Sequence, residues 1–115
     1  MTIDFARIGA QLAAATIASL DSDSRKVKAM AETEAANFTQ ALAEIARLLA
    51  EGQIDPEEAA MLARIQKDAG EAVLASLAEV SRVAAHRAVG QGLGSIAGLV
   101  DAAIGIPLIG QLLSS

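Results

Sequence analysis

The sequence has no cysteine, no tryptophan and no tyrosine, and its only aromatic residues are Phe5 and Phe38. Without cysteine there is no disulfide framework, no thiolate metal site and no thiol nucleophile. With only two aromatic rings an RNA-binding sheet has too little on which to stack bases. The β-branched and aromatic residues that a β-sandwich alternates in period two are also scarce. Proline occurs only at Pro56 and Pro107. Basic residues are few, nine against fourteen acids, giving a net charge of -5. They are scattered except for Arg25, Lys26 and Lys28, which is too small a cluster to track a phosphate backbone. No nucleic-acid partner is expected.

What the chain has in abundance is alanine, 27 of its 115 residues. That length supports one domain, and a composition led by Ala, Leu and Glu favours helix. The stretch from Ile8 to Leu20 has the length of a signal-peptide core. Asp4 lies where such a peptide carries positive charge, however, and Ile8, Leu12, Ile17 and Leu20 are its only strong apolar residues. It reads as a helix, and the expected setting is the cytoplasm or a membrane surface.

Helical spacing organises most of the chain. Phe5, Ile8, Leu12, Ala15 and Leu20 predict a first helix over 3–20, ended by Asp21-Ser22-Asp23-Ser24. A second helix should begin at Ser24 or Arg25 and run to about Glu51. Its apolar face is Val27, Met30, Phe38, Leu42, Ile45, Leu48 and Leu49, with Ala31, Ala35 and Ala41 between them. Gly52 suits the position after its end. Asp55-Pro56-Glu57-Glu58 then combines an N-cap, a proline at the first helical position and a capping box, with Ile54 placed to staple onto Ala59 or Ala60. The third helix is expected to run from Pro56 to about Val89, roughly 50 Å at 1.5 Å per residue. Leu62, Ile65, Ala69, Val73, Leu77, Val80 and Val83 or Ala84 would form its buried face. A short turn between two long helices implies an antiparallel, coiled-coil-like hairpin.

The composition changes near residue 88. Beyond it the only charged side chain is Asp101, and six of the nine glycines fall between 90 and 110. The reading is therefore a hairpin region over 1–89, including the N-terminal helix, and a glycine-rich apolar tail over 90–115. A helix is expected near 93–105 and a short apolar turn or helix over 107–113. Gly90, Gly94, Gly98 and Ala102 stand four apart, on one face of a helix, and this file resembles a glycine zipper. Gly92 breaks the regularity and could serve as a hinge. Residues 92–113 would make a helix of about 33 Å, close to the hydrocarbon thickness of roughly 30 Å. Summing their apolar gain against Asp101, Pro107 and the glycines gives insertion near zero. Three fates stay open for this tail: contact with lipid, burial in an oligomer, or folding back onto the hairpin as a further layer.

Residues able to carry chemistry are sparse. His86 is the only histidine. Near the expected end of helix three, His86 and Arg87 would complement the helix dipole. Glu79, seven residues earlier, could share the His86 face, but the Glu-x-x-His spacing of di-iron bundles is missing. Gly90-Gln91-Gly92-Leu93-Gly94 lacks the strand and the Lys-Ser/Thr of a phosphate-binding loop. No catalytic residue, metal ligand or cofactor is assigned.

The sequence reading is an all-α, non-catalytic structural or interaction protein that self-associates or attaches to a membrane through its tail. Gly90, Gly94, Gly98 and Ala102 would give close approach. Leu99, Ile104, Ile106, Leu108 and Ile109 would give apolar contact, and Asp101 would set orientation. The partner would be a second copy, another protein or a lipid membrane. The alternative is a helical-hairpin subunit of a larger secretion, injection or phage assembly.

Overall fold

The computed structural model describes residues 3–114, which form five helices and no strand. They are α1 (Phe5–Leu20), α2 (Arg25–Ala50), α3 (Pro56–Ala75), α4 (Arg82–Ile104) and α5 (Leu108–Ser114). Local chemistry sets most boundaries. Asp4 caps α1 by accepting from the Arg7 amide, and Asp21 ends it in the left-handed region at φ 49°. Ser24 caps α2. Asp55 and Glu58 exchange the two hydrogen bonds of a capping box at 2.8 and 3.1 Å, with Pro56 opening α3. Ile54 packs on the core beside Ala59 and Ala60.

The third helix is shorter than its periodicity predicts. It ends at Ala75, and α4 begins at Arg82 under a Ser81 cap whose hydroxyl accepts from the Ala84 amide at 3.0 Å. The intervening segment contains neither glycine nor proline. Leu77 and Val80 are buried there among Val27, Ala31, Leu74 and Ala85, forming a second core cluster. They keep the three-and-four spacing of a helix because the turn itself buries them. Two corrections follow. The long helix over 56–89 is two helices, and His86 lies near the start of a helix. His86 and Arg87 are the fifth and sixth residues of α4, far from its C-terminus, and do not complement its dipole there.

The face expected to be the core side of α3 also points elsewhere. Ala59, Ala63, Leu74 and the stem of Lys67 are buried. Leu62, Ile65, Ala69 and Val83 are exposed.

Helix α1 packs on α2 and α4, α3 on α2, α4 and α5, and α5 on α4. The main core joins Ile8 and Leu12 of α1, Phe38, Leu42 and Ile45 of α2, and Leu93, Ile96 and Val100 of α4 to Leu108, Ile109 and Leu112 of α5. Each fully buried aliphatic of this size contributes about 1.5–3 kcal/mol. The apolar tail is thus a layer of the core. The 92–113 span is not one helix, since Gly105 takes φ 90° and Pro107 follows. Among the described residues no helix is long and apolar enough to cross a membrane.

Candidate functional site

The inner contacts of α1 explain how α2 and α4 approach it. Thr16 of α1 donates its hydroxyl to the Leu12 carbonyl at 2.8 Å. Thr39 of α2 does the same to Ala35 at 2.7 Å. Both threonines are buried, and each faces a glycine. A Cβ on Gly9 would stand 3.2 Å from Thr39 Oγ1, and one on Gly92 would overlap Thr16 Oγ1 and approach Leu12 Cδ1 to 2.8 Å. The hydroxyls satisfy themselves on their own helix, so the close interhelical contact leaves no polar atom unpaired. Across the α1–α4 seam, Gln11 Nε2 also donates to the Ser95 carbonyl at 2.6 Å. Gly92, which the spacing reading treats as an irregularity, is the glycine of α4 that packs.

The other glycines of that helix stand clear. A Cβ at Gly90, Gly94 or Gly98 would meet nothing within 4 Å. Gly94, Gly98 and Ala102 are exposed and Gly90 is half-buried. Leu99 is 46% exposed beside them. Gly90 and Gly94 line an open groove of about 700 Å³ with Ala15, Ala18 and Ser19 of α1, and Arg87, Gln91 and Ser95 supply its polar edge. A second groove, about 720 Å³, lies on the other flank of α1 against α2. Phe5 and Ile17 belong to its wall, with alanines of both helices between them. Ala6, Ala10 and Ala14 line this second groove and Ala18 the first, all exposed and four apart. This second small-residue file is visible in the sequence, but in so alanine-rich a chain its spacing does not stand out.

The remaining tail residues serve the fold. Leu108 and Ile109 are fully buried, and Ile104 and Ile106 pack against the core. Asp101 accepts from the Ile109 amide at 2.8 Å and the Gly110 amide at 3.0 Å. Its carboxylate therefore caps α5 and ties it to the last turn of α4. The ten tail residues thus divide between an open face and the core.

One polar cluster joins α3 to α4. Glu71 receives Lys67 Nζ at 2.7 Å and pairs with His86 Nδ1 at 2.9 Å. Burial pushes the Glu71 carboxyl up, but the hydrogen bonds and charges of Lys67 and His86 outweigh it and hold it below the usual carboxylate value. Glu79, the sequence candidate for a His86 partner, instead accepts from Ser24 Oγ at 3.0 Å. Glu71 lies fifteen residues before His86, a separation that no single-helix spacing suggests. Among the described residues no three His, Cys, Asp or Glu side chains gather as a metal site would require.

Comparison of the chain with known proteins finds no matching family model, no matching curated protein and no matching solved structure.

Proposed function

We propose that this is a non-catalytic interaction protein that self-associates through the small-residue surface of α1 and α4. The observation carrying this reading is the open file Gly90, Gly94 and Gly98, where an added Cβ would touch nothing. Glycine in a helix interior costs about 1 kcal/mol relative to alanine, and Gly92 alone answers a packing need inside the α1–α4 seam. Grooves floored by alanine and glycine admit a helix at close range, because no side chain holds its backbone away. Leu99, next to the file, adds an apolar contact at the rim.

Multi-angle light scattering after gel filtration tests this reading. The full chain is expected to exceed its 11.7 kDa monomer mass, and Gly94→Leu or Gly98→Leu to lower that mass with an undiminished helical melting transition. A wild-type chain that stays monomeric at high micromolar concentration overturns it. Liposome flotation separates lipid attachment. That would require Leu108, Ile109 and Leu112 to leave the core, so the folded chain is expected not to float.

A further inference from the structure

The groove between α1 and α2 holds about 720 Å³, within the roughly 300–1,000 Å³ of small-molecule sites. Its shape follows from how the two helices pair. They are joined by the short 21–24 turn and run antiparallel, with Gly9 seated on Thr39. That register sets Ile17 beside Glu32 at one end and Phe5 beside Ala43 at the other. Phe5 and Ile17 stand about 18 Å apart along α1 at 1.5 Å per residue. On the α1 wall only alanines and Gly9 separate them. The groove is thus an apolar trough with a bulky post at each end. It suits a molecule of its own length better than a helix, which would run past both posts.

The polar groups of the lining ask for a donor. Thr39 is 8% exposed, and its hydroxyl donates to the Ala35 carbonyl, so toward the groove it offers lone pairs alone. Gln40 can donate or accept. Glu32 is the one charged residue of the lining, and among the described residues it enters no ion pair. Lys28 and Asp21, near the Glu32 end, carry opposite charges, and neither lines the groove. At the Phe5 end Arg47 is paired with Glu44 and Glu51. Exposed Asp4 and Arg7 offset each other there, outside the lining. A carboxylate headgroup would meet Glu32 as a like charge, whereas an ammonium would give it charge-assisted hydrogen bonds.

We propose that this groove binds a single-chain aliphatic amine, its ammonium on Glu32 beside Ile17 and its chain lying over Gly9 and the alanines toward Phe5. Burial of the chain's methylenes supplies the affinity, and Glu32 sets the headgroup preference and the direction. The site is separate from the surface proposed for self-association, because no residue of α4 lines it.

Calorimetric titration of the full chain with dodecylamine, kept below its micelle concentration, tests the proposal. Dodecylamine should bind at one site per chain, and dodecanoate at least tenfold more weakly. Ala10→Leu and Ala36→Leu put bulk into the groove from exposed positions. Each should weaken amine binding at least tenfold while helicity and light-scattering mass stay unchanged. Glu32→Gln should weaken it at least threefold and narrow the gap to dodecanoate. Glu57→Gln removes the same charge from an exposed position off the groove and should leave the affinity within twofold. Equal binding of amine and carboxylate, or unchanged amine binding in both leucine variants, overturns the proposal. An equal loss in Glu57→Gln also overturns it, by assigning the binding to net charge. A leucine variant that lowers the mass of the assembly gives the groove to a second copy instead. Gly94→Leu should leave amine binding intact whatever it does to the mass; a loss of binding there would place the site outside this groove and overturn the proposal.

Discussion

The two sides of α4 use the same residue for opposite ends. On the inner side Gly92 lies against Thr16 and Leu12 so closely that no side chain fits. On the outer side Gly90, Gly94 and Gly98 face open space. The outer three have the regular spacing, and the inner one breaks it. Four-residue periodicity identifies a face, but it does not tell whether that face is turned to the protein's own core. Here the contact inside the fold is made by the off-register glycine, and the regular file faces open space.

The contrast can be broken most severely from the inside. Truncating Ile96 or Leu108, both fully buried where α4 and α5 meet the main core, should cost about 2–5 kcal/mol. Chemical denaturation would measure it, and a loss below about 1 kcal/mol would mean that the tail is not the core layer described above. Gly92→Ala comes next. Overpacking against Thr16 and Leu12 costs about 1–3 kcal/mol, partly offset by about 1 kcal/mol of helix propensity. The net effect should destabilise. Gly94→Ala and Gly98→Ala lack the clash and keep the propensity gain, so they should stabilise the monomer by up to about 1 kcal/mol. Opposite signs on neighbouring turns of one helix would sharpen the comparison; equal signs would erase it.

Asp101 marks where the open and buried regions of the tail meet. Its carboxylate holds the Ile109 and Gly110 amides. Asp101→Ala should cost about 1–2 kcal/mol, as the loss of a helix cap does. Faster hydrogen exchange should be confined to α5, because the rest of α4 keeps its contacts. Exchange spread evenly through α4 would contradict this role.

How much of this was legible depended on whether the signal was local. The caps at Ser24 and Asp55 act within a few residues and are read correctly from side-chain chemistry, as is the buried face of α2 from Val27 to Ile45. The break after Ala75 escapes because Leu77 and Val80 are buried in the turn and so continue the helical period through it. The only mark is Ser81, one serine without an acidic residue three positions later. The orientation of α3 is invisible for a related reason. Periodicity finds Leu62 and Ile65 as a stripe, and a stripe turned to solvent has the same spacing as one buried in the core. Gly9 opposite Thr39, Gly92 opposite Thr16 and Glu71 opposite His86 join separate helices, and their pairings exist only once the chain is folded.

The smallest expected effect concerns the polar tie between α3 and α4. Glu71 is held below the ordinary carboxylate value of 4.5 because the bonds from Lys67 and His86 outweigh its burial. A carboxyl whose pKa is lower folded than unfolded stabilises the fold above the unfolded value, and that contribution disappears as pH falls through the folded value. Glu71→Gln should therefore lower stability at neutral pH by about 1 kcal/mol, since the amide oxygen can still accept from Lys67 Nζ and only the charge is lost. Below pH 4.5 the wild type and the variant should converge as the wild-type carboxyl protonates. Thermal melts of both proteins across that range measure the difference. A gap that persists unchanged well below pH 4.5 would show that Gln disturbs the α3–α4 packing itself. The Lys67–Glu71–His86 bonds would then be incidental to the join.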